Sequence, residues 1–272
     1  MTKFSHCFLL LFGQLAVGGV VGLAVPPFTV IERGFYKSSA GIYLGFALLF
    51  IAGKIGLAVR VGELTANAPL ELACWSAFAL ALAWYLATLW GDRNEPRARA
   101  FLAALSTGMA ALTISANEYR VGPLLSPATP LYPLSVIMGA LALGAVATGM
   151  LLGHWYLIDL GLSIEPLRRL HRFYMWVIGL QVVTIALTIG VMALTTAGAA
   201  AASMLLTDYQ QLLAMRMLLG PGAALAIGAM IGRTLAIPQT MAATGLFYIA
   251  ILAVIVGEMM GRLILFRTSL PL

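Results

Sequence analysis

Eight runs of about twenty apolar residues recur along this chain, separated by short polar connectors. A helix of that length spans the ~30 Å hydrocarbon core of a bilayer, and its backbone polar groups are satisfied within the segment. The sequence therefore predicts an all-α, polytopic membrane protein of eight transmembrane helices packed as a helical bundle. The spans are expected at roughly 7–30, 40–60, 69–90, 100–117, 132–153, 174–197, 208–232 and 239–263. The connectors contain PPF at 26–28, GDRNEPRAR at 91–99, GPLLSPATPLYP at 122–133 and IPQT at 237–240. None is long enough to hold a second domain, so residues 1–272 are expected to form a single integral membrane domain.

Composition points the same way. Hydrophobic residues make up 61% of the chain and charged residues 10%, against roughly 25% charged in soluble domains. So few charges cannot solvate a folded surface. The first run, FLLLFGQLAVGGVVGLAV, follows a single lysine, Lys3, and is longer than the ~7–15-residue core of a signal peptide, so it is expected to remain as a helix. The net charge of +6 does not suggest nucleic acid, because the basic residues fall in short loops between apolar runs.

Those basic residues set an orientation. Arg33, Lys37, Arg93, Arg97, Arg99, Arg168, Arg169, Arg172 and Arg233 lie in or beside the odd-numbered loops, whereas the even loops hold only Arg60 and Arg120. By the positive-inside rule the odd loops face the cytoplasm and both termini lie outside.

With that topology, ionisable residues gather in the outer half of the membrane. Lys54 and Arg60 sit toward the outer end of helix 2, Glu63 and Glu71 at the start of helix 3, and Glu118 and Arg120 at the end of helix 4. Asp208 and Arg216 lie in helix 7, and Glu258 and Arg262 in helix 8. A charge at the centre of a span costs about 2.5–3.5 kcal/mol, less near the interface. Facing lipid, several together would be prohibitive, so they are expected to face one another in a polar site. Arg216, about two turns into its helix, is the charge least able to reach the headgroups; Lys54, Arg60 and Arg262 have the alternative of extending there.

Other chemistry is sparse. Cys7 and Cys74 lack CxxC spacing and are read as small buried thiols, although a disulfide is geometrically conceivable. His6, His154 and His171 fall at different depths, so a bis-histidine haem is not expected, and no metal is expected to be bound by this chain. GPG at 220–222 is expected to bend helix 7 beside Arg216, and the glycines of helices 1 and 5 to allow close helix approach.

Three stretches carry a resemblance. LLLFGQLAVGGVVGLAV, DYQQLLAMRMLL at 208–219 and VGEMMGRLILF at 256–266 resemble the first, seventh and closing helices of the membrane-anchor subunit of the dimethyl sulfoxide reductase family, in the same order. The resemblance covers about a third of the chain, and the Gly-Glu-x-x-Gly-Arg pattern is its most specific part. It implies a haem-less subunit in the bacterial cytoplasmic (inner) membrane, binding menaquinone or another quinone. Its partners would be the iron–sulfur and catalytic subunits of an oxidoreductase complex. Arg216, Glu258 and Arg262 match the family's helix-7 arginine and closing pair, and Glu71 its acidic residue at the start of helix 3. The family's helix-2 histidine is absent; AVRVGEL offers Arg60 instead.

The functional expectation is a quinone-interacting membrane anchor of a respiratory oxidoreductase. Glu71 and Glu258 are the candidate proton acceptors, and Arg216, Arg60 and Arg262 the candidate quinone-binding groups. The alternatives are an anchor or scaffold without quinol chemistry, and a small transporter.

Overall fold

The computed structural model describes residues 2–61, 68–120, 126–159, 161–194 and 196–272. The elements in chain order are α1 (Thr2–Leu23), α2 (Arg33–Val61), α3 (Ala68–Thr88), α4 (Asn94–Asn117), α5 (Leu131–Ile158), α6 (Glu165–Ala193), α7 (Thr196–Thr207), α8 (Gln210–Met217), a π-helical turn (Leu218–Gly222), α9 (Ala223–Ala236) and α10 (Thr240–Thr268). No strand occurs among the described residues. Eight segments are long and apolar enough to cross a membrane, with α8, the π turn and α9 together making the seventh, Gln210–Ala236.

Four spans begin well before their expected starts, α1 among them at Thr2. α2 starts at Arg33, α4 at Asn94 and α6 at Glu165. The residues added are rich in polar and charged side chains, and a hydropathy criterion marks lipid-crossing length rather than the helix that continues into the interface. The α6 extension has Pro166 in its first turn, where the missing N–H is no loss. It also carries a Glu165–Arg172 pair at 2.7 Å. The stretch after α6, read from sequence as a connector, contains the helix α7.

α1 and α5 form the centre of the bundle, because glycine lets their backbones touch. A Cβ on Gly18 would run into the Ala140 carbonyl, and one on Gly144 into the backbone of Gly18. This is the small-residue packing that membrane helices use where no hydrophobic gradient drives them together. Tyr43 reaches α5 from α2, its hydroxyl 2.7 Å from Thr148 Oγ1, so a buried phenol is satisfied without water. Trp75 of α3 packs on Phe50 of α2 at 4.1 Å between ring centroids.

The seventh span bends at the expected place. Gly220 has a non-helical ψ of −105° and Pro221 supplies no N–H, so the helical ladder widens into a π turn there. The bend brings Gly220 against Gly257 of α10, with bare backbone on both sides.

One end of the bundle collects both chain termini. His6 of α1 lies beside Phe266 of α10 with ring centroids 6.2 Å apart, Tyr119 after α4 meets the same phenylalanine at 4.3 Å, and Tyr132 of α5 donates to the Ser269 carbonyl at 3.0 Å. Ser269 adopts a left-handed conformation (φ 61°), which ends α10 and turns residues 269–272 back onto the bundle. The opposite end is basic. There Arg33 pairs with Asp92 at 2.7 Å, and buried Arg97 donates to the Gly91 carbonyl at 2.8 Å while lying 4.5 Å over the Phe28 ring.

Candidate functional site

Six ionisable residues at the termini end form two clusters. The first brings together Arg216, Glu258 and Arg262, which are 1%, 1% and 0% exposed. Arg216 Nη1 donates to Glu258 Oε1 at 2.7 Å, and Gln181 Nε2 donates to the same oxygen at 2.5 Å. Arg262 Nη2 reaches Glu258 Oε2 at 3.4 Å, Ser135 Oγ at 3.1 Å and the main-chain oxygen of Leu272, the last residue of the sequence, at 3.5 Å. α10 supplies both members of the i,i+4 pair, α8 delivers Arg216 from just above the π turn, and α5 and α6 supply the neutral partners.

Glycine makes room for this network. At Gly139 of α5 a Cβ would run into Glu258 Oε2 and stand 2.5 Å from Gln14 Nε2. At Gly261 it would stand 2.5 Å from the Leu272 main-chain oxygen and 2.9 Å from Arg216 Nε. The carboxylate and the guanidinium therefore rest on bare helix backbone.

The second cluster is centred on Lys54 of α2. Its Nζ lies 2.7 Å from Glu71 Oε2 and 3.2 Å from Glu118 Oε2. Ser115 Oγ donates to Glu71 Oε1 at 2.5 Å, and Trp75 Nε1 donates to Ser115 Oγ at 3.0 Å. This chain of donors explains how Glu71 can be only 2% exposed. Neutral polar partners such as Ser115, Gln181 and Ser135 carry no spacing signal, so sequence reading did not single them out.

The structure thus joins three of the sequence-predicted residues, Arg216, Glu258 and Arg262, and places Glu71 in a separate group with Lys54 and Glu118. No ion pair links the two clusters among the described residues. Lys54, which could have extended to the headgroups, is instead turned into the bundle. Arg60 joins neither cluster; it is exposed. Asp208 is also exposed, and Glu63 lies outside the described residues.

Arg60 does line a cavity. A groove of about 550 Å³ runs between α1 and α2, walled by Phe4, Phe8, Leu9, Gly53, Gly56 and Leu57, with Ser5 and Arg60 as its polar groups. Phe4 and Phe8 are 56% and 43% exposed, so the groove opens on the outer surface of the bundle. Gly53 lies in its wall and Lys54 is the next residue, so the Lys54 cluster and the groove share one turn of α2.

Among the described residues no group of three or more His, Cys, Asp and Glu side chains is placed to hold a metal ion. Cys7 and Cys74 are free thiols, Cys7 buried and Cys74 half-buried. His171 is hydrogen-bonded to the Gly228 carbonyl at 2.8 Å, and His154 lies 3.4 Å from the Tyr248 hydroxyl. No family model matches the chain, and no curated protein sequence matches it.

Proposed function

We propose that this chain is a quinone-interacting membrane anchor of a multi-subunit respiratory oxidoreductase in the bacterial inner membrane, passing electrons between the quinone pool and a partner subunit that holds the redox centres. The observation that carries this reading is the groove between α1 and α2, with Arg60 in its lining and Lys54, which pairs with Glu71 and Glu118, next to Gly53 of its wall.

A quinone site needs a slot for a flat apolar ring, entry from lipid, a donor to a ring oxygen, and a nearby group that accepts protons. The groove has a suitable volume, within the roughly 300–1,000 Å³ of small-molecule sites. Phe4 and Phe8 offer ring-stacking faces. Arg60 supplies a guanidinium donor, and Ser5 a hydroxyl. Glu71 and Glu118, sharing Lys54, form a reservoir in which a carboxylate can take up a proton while the ammonium stays paired with the other. In this reading the Arg216–Glu258–Arg262 network holds α8, α5 and α10 together rather than contacting the ring. The basic end of the bundle faces the cytoplasm, so the groove lies toward the outer surface, where the iron–sulfur and catalytic partners dock.

The test uses purified protein in detergent, titrated with a short-chain naphthoquinone and followed by tryptophan quenching. A Cβ on Gly56 would meet nothing within 4 Å, so Gly56→Phe fills the groove without disturbing the core. Saturable binding to the wild type, lost in Gly56→Phe and weakened in Arg60→Leu, supports the site. Unchanged binding in both variants defeats it.

A second reading, an anchor without quinol chemistry, is favoured by one observation: Glu71 and Glu258 are both already held in buried ion pairs. Absence of saturable quinone binding to the wild type, in a protein that still assembles with redox partners, would select it.

A further inference from the structure

Arg97, at the basic end of the bundle, is buried without an acid. It is 5% exposed, and no carboxylate of the described residues lies within ion-pair distance of it. The acids nearest in sequence, Asp92 and Glu95, are exposed and pair with Arg33 and Arg99. The Arg97 guanidinium donates to two neutral acceptors, Asn94 Oδ1 at 2.9 Å and the Gly91 carbonyl at 2.8 Å, and its Nε is buried with no partner. Arg97 also stands in the first turn of α4, where the positive end of the helix dipole adds to its own charge. Neutral acceptors and the Phe28 ring leave a whole positive charge in a low-dielectric surrounding, which proteins avoid by pairing.

A pocket of about 320 Å³ opens beside it, between the α1–α2 connector, α3 and α4. Arg97 and Asn94 line it; the Asn94 side-chain oxygen is committed to Arg97, so its amide N–H groups are left to donate. Tyr85 lines it too. Its side chain is 3% exposed, its hydroxyl makes no hydrogen bond to a described residue, and it lies within electrostatic reach of Arg97. The rest of the wall is largely apolar, with Phe28 on one side and Phe101 edge-on to Tyr85 at 5.2 Å between ring centroids. The mouth passes exposed Ala98, and Leu102, one turn further along α4, is 61% exposed, so the cavity runs onto the outer apolar flank of that helix. Trp90, 65% exposed with Lys37 Nζ 4.6 Å from its ring centroid, marks this level as the headgroup region.

We propose that this pocket binds the phosphodiester of an anionic phospholipid. Its non-bridging oxygens accept from Arg97, Asn94 and Tyr85, and its glycerol and upper acyl chain pass over Phe101 and Ala98 toward the lipid. Inorganic phosphate offers the same oxygens but nothing to cover the aromatic walls or to follow the flank of α4. The site lies at the opposite end of the bundle from the α1–α2 groove and does not rest on the quinone reading.

The experiment follows thermal unfolding of the purified full chain in detergent micelles doped with phosphatidylglycerol or with phosphatidylcholine of the same chains. A third arm has inorganic phosphate in the buffer at the matching concentration. Phosphatidylglycerol is expected to raise Tm by roughly 3 °C over phosphatidylcholine, saturably, and inorganic phosphate to leave it unchanged. Tyr85→Phe removes only a hydroxyl; it is expected to unfold like the wild type in phosphatidylcholine and to lose most of the phosphatidylglycerol increment. Arg97→Gln is expected to lose all of it, and Arg99→Gln, at an exposed arginine of the same helix, none. Equal Tm values in the two lipids overturn the proposal, as does an increment that survives in either Tyr85→Phe or Arg97→Gln. An increment lost in Arg99→Gln overturns it as well, since general surface attraction then accounts for the effect. One reproduced by inorganic phosphate overturns the lipid as occupant. Should Arg97→Gln fail to fold, native mass spectrometry of the wild type and Tyr85→Phe decides. One phosphatidylglycerol retained by the wild type and released from the variant supports the site, and equal retention rejects it.

Discussion

Glu258 Oε1 lies 2.7 Å from Arg216 Nη1, across 42 residues of sequence, with both side chains sealed from the surface. The contact links α8 to α10 on one side of the π turn, while Arg262 extends the same carboxylate's reach to α5 through Ser135. Three helices are thereby fixed by one acid.

Replacing that acid is expected to be severe. Glu258→Gln strands the buried Arg216 guanidinium, and breaking a buried pair from one side costs about 3–5 kcal/mol. Thermal unfolding in detergent should show a large drop in Tm, or loss of folded protein. The double variant Glu258→Gln/Arg216→Gln should recover part of it, because the uncompensated charge falls. Wild-type stability in Glu258→Gln would mean that the pair contributes nothing.

Glycine positions provide a contrast within the same bundle. Gly139→Ala would push a methyl into Glu258 Oε2, and overpacking of this kind costs about 1–3 kcal/mol. At Gly45 and Gly245 a Cβ meets nothing within 4 Å. Alanine there should be neutral or stabilising by up to about 1 kcal/mol through helix propensity. Equal effects at Gly139 and Gly45 would contradict the packing described.

Ser115 links Trp75 to Glu71. Ser115→Ala removes a donor from a buried carboxylate and orphans the indole N–H, at an expected cost of about 1–3 kcal/mol. Ser115→Thr keeps the hydroxyl and should retain more of the stability. Chemical unfolding of the two variants side by side checks the order; alanine equal to wild type would remove the relay from the account.

Arg60 should behave differently from the charges of the two clusters. It is exposed and joins no cluster, so Arg60→Leu is expected to leave Tm unchanged while weakening quinone binding at the groove. A fall in Tm comparable to that of Glu258→Gln would show that Arg60 has a structural role.

The eight crossings were legible because a span needs only length and apolar content, both of which a sequence displays directly. Their ends were less so. Arg33 and Glu165 begin helices that run on beyond the apolar windows, and nothing in hydropathy separates an interfacial helix from a loop. The meeting of Arg216, Glu258 and Arg262 followed from the cost of burying charge, a constraint that names which groups must find partners. It does not say which partner each finds. Glu71 went to Lys54, and that choice depends on how α2, α3 and α4 pack, which the spacing of residues along the chain does not encode. Ser135 and Gln181 were invisible for a further reason: uncharged amides and hydroxyls are tolerated in a span whether or not they bond to anything.

The seat of Glu258 on Gly139 has a mechanical consequence. Sliding α10 along α5 by one helical turn, about 5.4 Å, would carry the carboxylate off the bare backbone of Gly139 and toward Ser135 or Leu143, which have side chains. The acid therefore works as a depth gauge: it lets the last helix enter the bundle to one level and stop.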